Sequence, residues 1–239
     1  MAKEKKTEYG EKYYTETGLA GFNKDNRMDH MGILEYGGIG KKDIVLEIGC
    51  GLGILLSKVK AGEKYGLESN EFAVATCKKK GLNVRLHEDV YRLPFDDKKF
   101  DVIIMNEVIE HIPKPEKALR EIDRVLKTGG ELIITTPNKN FLVQNLAETH
   151  CSEMSYKELK KLIGSSNFEV TLHKVRGLSY WDFLGRKIIF PVGKYLASKK
   201  AFRGSVSNAR EKIDGAKVSH FRDKMIGQGS QRLLIARKK

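Results

Sequence analysis

Within six consecutive residues, Asn106-Glu107-Val108-Ile109-Glu110-His111, the chain carries two carboxylates three positions apart and an imidazole beside the second. On a helical turn, residues 107, 110 and 111 share one face. Two carboxylates and an imidazole so placed can hold a divalent cation, with His150 as a candidate fourth ligand brought back by the loop after Pro137. A metal bound to adjacent oxygens of a diol or catechol lowers a hydroxyl pKa and aims that oxygen at an electrophile. Without a metal, His111 alone is a candidate general base. A third reading is structural: the Glu-His pair caps and orients the turn.

A second constellation begins at Glu47. The run Glu47-Ile48-Gly49-Cys50-Gly51-Leu52-Gly53 joins a β-rich stretch to a helical one. Glycines there let the backbone turn sharply and approach a ligand closely. A dinucleotide loop places its third glycine at position 54, which is Ile54 here, and the acidic Glu47 precedes the glycines. The pattern fits a pyrophosphate poorly and suits a ligand with a cationic sulfonium and an amino-acid tail. Glu68 ends the next β-rich run, where a carboxylate can accept from both hydroxyls of a ribose. Asp89-Val90 follows the third, where a carboxylate can accept from an adenine amino group. Three acidic residues at three successive strand ends are more than scattered surface charge.

These residues need a scaffold, and the patterning supplies one. The spacing predicts a helix over Asn26–Tyr36, strands over Ile44–Ile48, Lys64–Leu67 and Leu82–Leu86, and helices over Leu52–Lys60 and Asn70–Lys80, the last opened by an Asn cap. Asp101–Met105 is an apolar run suited to the middle of a parallel sheet. Apolar residues at 118, 119, 122, 125 and 126 predict a helix over Pro115–Leu126 that Gly129-Gly130 ends. Leu132–Thr136 is the next strand, stopped by Pro137. A capping box, Ser155 with Glu158, opens a helix through Ile163, and Phe168–Val175 and Arg232–Ala236 read as the last strands. Alternating strands and helices imply a parallel sheet covered on both faces, with ligands bound beyond the carboxyl ends of its strands.

Composition narrows the class. The 239 residues suffice for one α/β domain with room for an insertion. No apolar run approaches the roughly 18–20 residues of a membrane span, and the charged start Met1-Ala2-Lys3-Glu4-Lys5-Lys6 lacks a signal-peptide core. Cys50, Cys77 and Cys151 show no paired spacing, which reads as a reduced, cytoplasmic protein without disulfides or a cysteine-based zinc site. Residues 177–239 hold 15 Lys or Arg against 4 Asp or Glu, and so carry +11 of the net +13. Within them, residues 180–203 mix Trp181, Phe183, Leu184, Ile188, Ile189 and Phe190 with Arg186, Lys187, Lys194, Lys199, Lys200 and Arg203. Such a segment is expected to act as a lid over an acceptor pocket, as a peripheral membrane contact, or as both. Nucleic acid would also use the bases, but no aromatic stacking module accompanies them.

From about residue 40 to 176 the chain resembles the class I S-adenosylmethionine-dependent methyltransferases. The resemblance rests on the 47–53 run, Glu68, Glu88-Asp89-Val90 with Leu93-Pro94-Phe95, Phe100-Asp101-Val102-Ile103-Ile104-Met105-Asn106, and Leu126-Lys127-Thr128-Gly129-Gly130. It implies a Rossmann-like, doubly wound α/β sheet of seven strands, mostly parallel with the last antiparallel, and helices on both faces. It implies three regions: a helical cap over 1–40, a methyltransferase core over 41–176 plus 230–239, and the basic insertion over 177–229. By resemblance S-adenosylmethionine is bound by Glu47, Gly49, Cys50, Gly51, Gly53, Glu68, Asp89, Val90 and Asn106, with Arg27 or His30 reaching the methionine carboxylate. The Glu-x-x-Glu-His run resembles two groups: ubiquinone-biosynthesis O-methyltransferases, and small-RNA ribose 2′-O-methyltransferases, whose metal ligands would correspond to Glu107, Glu110, His111 and His150. The expected function is methyl transfer to an oxygen of a small, lipophilic acceptor. The alternatives are metal-dependent RNA ribose methylation and a cofactor-binding interaction subunit without catalysis.

Overall fold

The centre of the molecule is a run of parallel strands whose residues are apolar on both faces. β1 (Ile44–Ile48), β2 (Glu63–Glu68), β3 (Val84–Leu86), β4 (Phe100–Asn106), β5 (Leu126–Pro137), β6 (Phe168–Arg176) and β7 (Gln231–Lys238) form one sheet in the order β3-β2-β1-β4-β5-β7-β6. It is mostly parallel, with the chain's last strand antiparallel. The structure, a computed structural model, describes residues 28–137, 154–176 and 231–239. All of these except Arg176 and Gln231 belong to one compact unit. Arg27, His150 and the 177–229 insertion lie outside the described residues.

Register explains how one set of strands serves two cores. Leu46 lies beside Ile103 and Ile103 beside Leu132, while Ile48, Met105 and Ile134 align two residues on. These side chains pack on one face with Leu119 and Ile122 of the helix Pro115–Val125 and with Leu159 and Ile163 of the helix Tyr156–Gly164. Their neighbours Val45, Val102, Ile104 and Ile133 point the other way. There they meet Ile33 of the helix Met28–Tyr36 and Leu55 of the helix Ile54–Lys58. We number the helices in chain order α1 (Met28–Tyr36), α2 (Ile54–Lys58), α3 (Glu71–Lys79), α4 (Pro115–Val125) and α5 (Tyr156–Gly164). Each fully buried Leu or Ile in these layers contributes about 1.5–3 kcal/mol.

The local signals read in the sequence work as expected at two helix starts. Asn70 caps α3 by accepting from the Ala73 amide at 2.9 Å. Ser155 and Glu158 exchange both bonds of a capping box at α5. Three boundaries differ. α2 occupies only Ile54–Lys58, because Gly53 has φ +71° and cannot lie within a right-handed helix, and Val59 is already extended. β3 begins at Val84, since the Leu82 amide turns back to the Cys77 carbonyl and closes α3. α4 ends at Val125 without help from Gly129-Gly130. Leu126 already pairs with Phe100 as the start of β5, and the glycines fall inside that strand, where its register against β4 shifts.

Chain direction along the sheet reverses between β1 and β4, which are hydrogen-bonded neighbours. Ligands of doubly wound sheets bind outside the carboxyl ends of the strands at such a point.

Candidate active site

Beyond β1 the chain makes a left-handed turn three times in five residues, with φ of +69° at Gly49, +51° at Gly51 and +71° at Gly53. The Gly49 and Cys50 amides both donate to the Leu67 carbonyl, at 2.8 and 3.1 Å, tying the loop to the end of β2. A Cβ on Gly49 would lie 2.6 Å from Val108 Cγ2, and one on Gly53 would collide with Leu82 and lie 2.9 Å from Cys77 Sγ. The sequence pattern therefore has a steric origin at both ends of the loop.

Glu68, buried at the end of β2, completes the loop. Its Oε2 accepts from the Gly51 amide at 2.8 Å, and its Oε1 accepts from the Ser69 and Asn70 amides at 2.9 and 3.0 Å. One carboxylate thus organises the loop after β1 and the turn into α3. A carboxylate has about four acceptor positions, so with three amides bound Glu68 retains one, on Oε2, for a ligand hydroxyl.

A cavity of about 290 Å³ opens beside these groups. Gly49, Leu67 and Glu68 form one wall, His87, Glu88, Val90, Tyr91 and Leu93 a second, and His111, Ile112 and Pro113 a third. Asp89 is exposed, and its Oδ1 accepts from the Tyr91 amide at 2.9 Å; its neighbours Glu88 and Val90 line the cavity. Glu47 is buried near the end of β1, and His30 is buried on α1.

Sequence reasoning missed His87. Its ring Nε2 lies 2.8 Å from the Asp89 carbonyl and 2.9 Å from the Arg92 carbonyl, so it carries the proton and donates to them. It fixes the loop that carries Val90 and Tyr91. The Tyr91 hydroxyl in turn accepts from the Lys114 amide at 3.3 Å, joining the second wall to the third. The Leu93-Pro94-Phe95 motif is held from α4. The Leu93 amide donates to Glu121, and Arg124 donates to the Leu93 and Phe95 carbonyls and to Asp97 and Glu121. The Arg124 guanidinium holds the Glu121 carboxyl below its ordinary value, against the opposing effect of burial.

After β4 the expected Glu, Glu and His separate. Glu107 has φ +55°, a left-handed conformation uncommon outside glycine. Thr135 holds it there: the Glu107 amide meets both the carbonyl and the hydroxyl oxygen of Thr135 at 3.1 Å, and that hydroxyl donates to Asn106 Oδ1 at 2.7 Å. Ile109–His111 form one turn of 3₁₀ helix. Glu110 is 1% exposed and accepts from the Thr136 hydroxyl at 3.1 Å, while His111 lines the cavity. Among the described residues, no group of three or more His, Cys, Asp or Glu side chains is placed to hold a metal ion.

The fold also pairs two cysteines far apart in sequence. Cys50 and Cys77 are buried free thiols beneath the glycine loop. Cys77 Sγ lies 3.3 Å and Cys50 Sγ 4.0 Å from the Gly51 carbonyl oxygen. The neighbouring Cys77 thiol, then burial, pushes the Cys50 thiol up. The neighbouring Cys50 thiol, aided by Lys80 and opposed by burial, holds Cys77 below the ordinary thiol value.

A doubly wound sheet with a glycine loop after β1 and an acidic residue ending β2 is shared with Rossmann-like folds. Residues 46–134 match the family model described as "Methyltransferase domain". It is 33% identical over 134 residues to a "Probable S-adenosylmethionine-dependent methyltransferase" of Mycolicibacterium smegmatis, covering 53% of this chain and 52% of that protein. It is 32% identical over 104 residues to the ubiquinone biosynthesis O-methyltransferase of Coxiella burnetii, covering 41% and 44%. The chain thus spans about half the length of the curated relatives it matches. Among solved structures, the YcgJ protein of Bacillus subtilis aligns with a TM-score of 0.57 at 18% identity, covering 90% of this chain and 99% of that one. A methyltransferase solved with the Trm112 activator from Haloferax volcanii aligns at 0.63 and 16%, covering 92% and 94%. These two likenesses speak to the fold.

Proposed function

We propose that this protein transfers the methyl group of S-adenosylmethionine to an oxygen of a small, lipophilic acceptor. The observation that carries the reading is the hydrogen bond from the Gly51 amide to Glu68, which ties the glycine loop to a buried carboxylate that lines the cavity with Gly49. The fit is steric and electrostatic. Backbone at Gly49 and Gly53 leaves no room for side chains, Glu68 Oε2 can still accept from a ligand hydroxyl, and Leu67 and Val90 offer apolar wall to a base.

When bound, S-adenosylmethionine supplies an electrophilic methyl group on a sulfonium. The chain's own work is to orient and to move a proton. The glycine loop and Glu68 hold one partner, the His87-clamped loop shapes the wall beside it, and His111 takes the proton of the acceptor hydroxyl as that oxygen attacks. Glu107, set by Thr135 in a left-handed turn, fixes where that histidine begins.

The preference for oxygen is supported by the ubiquinone biosynthesis O-methyltransferases among the relatives. In the metal-dependent ribose reading Glu110, which accepts from Thr136, would be a ligand together with His150, which lies outside the described residues. The membrane contact expected of residues 180–203 lies outside the described residues; among those described, no helix is long and apolar enough to cross a membrane. A titration with S-adenosylmethionine, followed by a methyl-transfer screen over phenols, quinol precursors and short RNAs with and without chelator, tests the proposal. Micromolar binding and chelator-insensitive methylation of a phenolic hydroxyl are expected. Absence of binding, or methylation confined to RNA and abolished by chelator, would overturn it.

A further inference from the structure

Cys50 and Cys77 are 27 positions apart in sequence, yet both sulfurs converge on the Gly51 carbonyl, at 4.0 and 3.3 Å. Cys50 belongs to the glycine loop and Cys77 to α3, so the pair couples the loop to the helix that follows Glu68. Both sulfurs are pressed against glycine backbone: a Cβ on Gly66 would lie 2.8 Å from Cys50 Sγ, and one on Gly53 2.9 Å from Cys77 Sγ. Lys80, whose ammonium donates to the Leu52 carbonyl at 2.9 Å, lies where it favours a thiolate at Cys77. A thiolate-prone sulfur that shares one carbonyl with a second thiol is the arrangement that lets a dithiol oxidise in two steps.

We propose that Cys50 and Cys77 are a site of reversible oxidation, closing to a disulfide beneath the loop, and that the closed form binds S-adenosylmethionine poorly. With hydrogen peroxide as oxidant, the Cys77 thiolate attacks a peroxide oxygen. An S–O bond forms, the O–O bond breaks, and the departing hydroxide takes up the Cys77 proton as water. The Cys50 sulfur then attacks the Cys77 sulfenic acid. The S–S bond forms, the S–O bond breaks, and hydroxide leaves with the Cys50 proton as a second water. Two electrons pass from the thiols to the peroxide.

The consequence for binding follows from the loop's geometry. A disulfide brings the sulfurs to about 2.05 Å, closer than any thiol hydrogen bond. Cys50 lies between two left-handed glycines, so its movement toward α3 turns the peptide whose amide, at Gly51, donates to Glu68. The oxidised pair also loses the S–H that faces the Gly51 carbonyl.

The inference rests on the cofactor reading above, and the experiment separates the two. The reduced full-length chain is titrated with S-adenosylmethionine, treated with hydrogen peroxide, mapped by mass spectrometry, titrated again, and titrated once more after dithiothreitol. A Cys50–Cys77 linkage, with affinity about tenfold weaker or worse and restored by the reductant, is expected. Cys77→Ser should keep the same affinity before and after peroxide; Cys77→Ala serves if serine at this buried position unfolds the chain. No linkage, or a linked protein that binds as tightly as the reduced one, overturns the proposal. A reduced protein that does not bind S-adenosylmethionine overturns the cofactor reading, and the regulatory part of this inference with it, while the mass map alone then decides the dithiol.

Discussion

The two turns that border the cavity are built on opposite plans. The loop after β1 is made of backbone: three left-handed glycines, amides shared with Leu67, and one carboxylate, Glu68, accepting from Gly51, Ser69 and Asn70. The turn after β4 is made of side chains: Thr135 sets Glu107, Thr136 engages Glu110, and His111 alone of the three polar residues lines the cavity. A backbone loop accepts one ligand and tolerates almost no substitution. A side-chain turn can be re-aimed by exchanging residues, so one fold can host different chemistries.

The largest effect should come from the backbone loop. Gly49→Val must place a branched side chain at φ +69° and against Val108, and it is expected to weaken S-adenosylmethionine binding at least about 30-fold, with about 2 kcal/mol or more of backbone and steric cost. Calorimetric titration checks this; equal affinities would remove the steric argument for the loop. Glu68→Gln comes next, because an amide NH₂ would face backbone donors where a carboxylate oxygen now accepts. A loss of about 1.5–3 kcal/mol in binding is expected. Retention of wild-type affinity by this variant would show that Glu68 is structural filler.

The turn after β4 should split by residue. His111→Ala is expected to lower kcat by about 10²–10⁴-fold and leave the dissociation constant for S-adenosylmethionine nearly unchanged. Glu110→Ala should mainly lower the melting temperature, by the about 1–3 kcal/mol that a lost buried hydrogen bond costs. If Glu110→Ala instead abolished activity without loss of stability and added Mg²⁺ raised wild-type turnover, the assignment of His111 as base without metal would fall.

The smallest effect concerns the wall held from α4. The Glu121 carboxyl titrates below its ordinary value of 4.5 because Arg124 is bonded to it. Its stabilising contribution is therefore present above about pH 4.5 and is lost as pH falls through the lowered value. Thermal melts of wild type and Glu121→Gln should differ at neutral pH and converge in acid. A difference that grows on acidification contradicts the sign of this linkage.

What the sequence by itself determined is what depends on local chain geometry. Gly49, Gly51 and Gly53 announce left-handed turns, Asn70 and Ser155 announce helix starts, and the continuous apolar runs at 44–48 and 101–105 announce strands covered on both faces. Each of these is a property of a residue and its near neighbours, so the order of elements could be read directly. What only the tertiary structure decided is which distant side chains meet. Glu110 accepts from Thr136, on a 3₁₀ turn that follows a left-handed Glu107 and does not present the single face that an α-helical turn would. His87 becomes a clamp because its ring meets the Asp89 and Arg92 carbonyls, a contact made by the fold of a loop with no periodicity of its own. Cys50 and Cys77 show no spacing in the sequence that would pair them, yet β1 and α3 bring their sulfurs to one carbonyl, because parallel strands joined by helices bring together residues a full crossover apart.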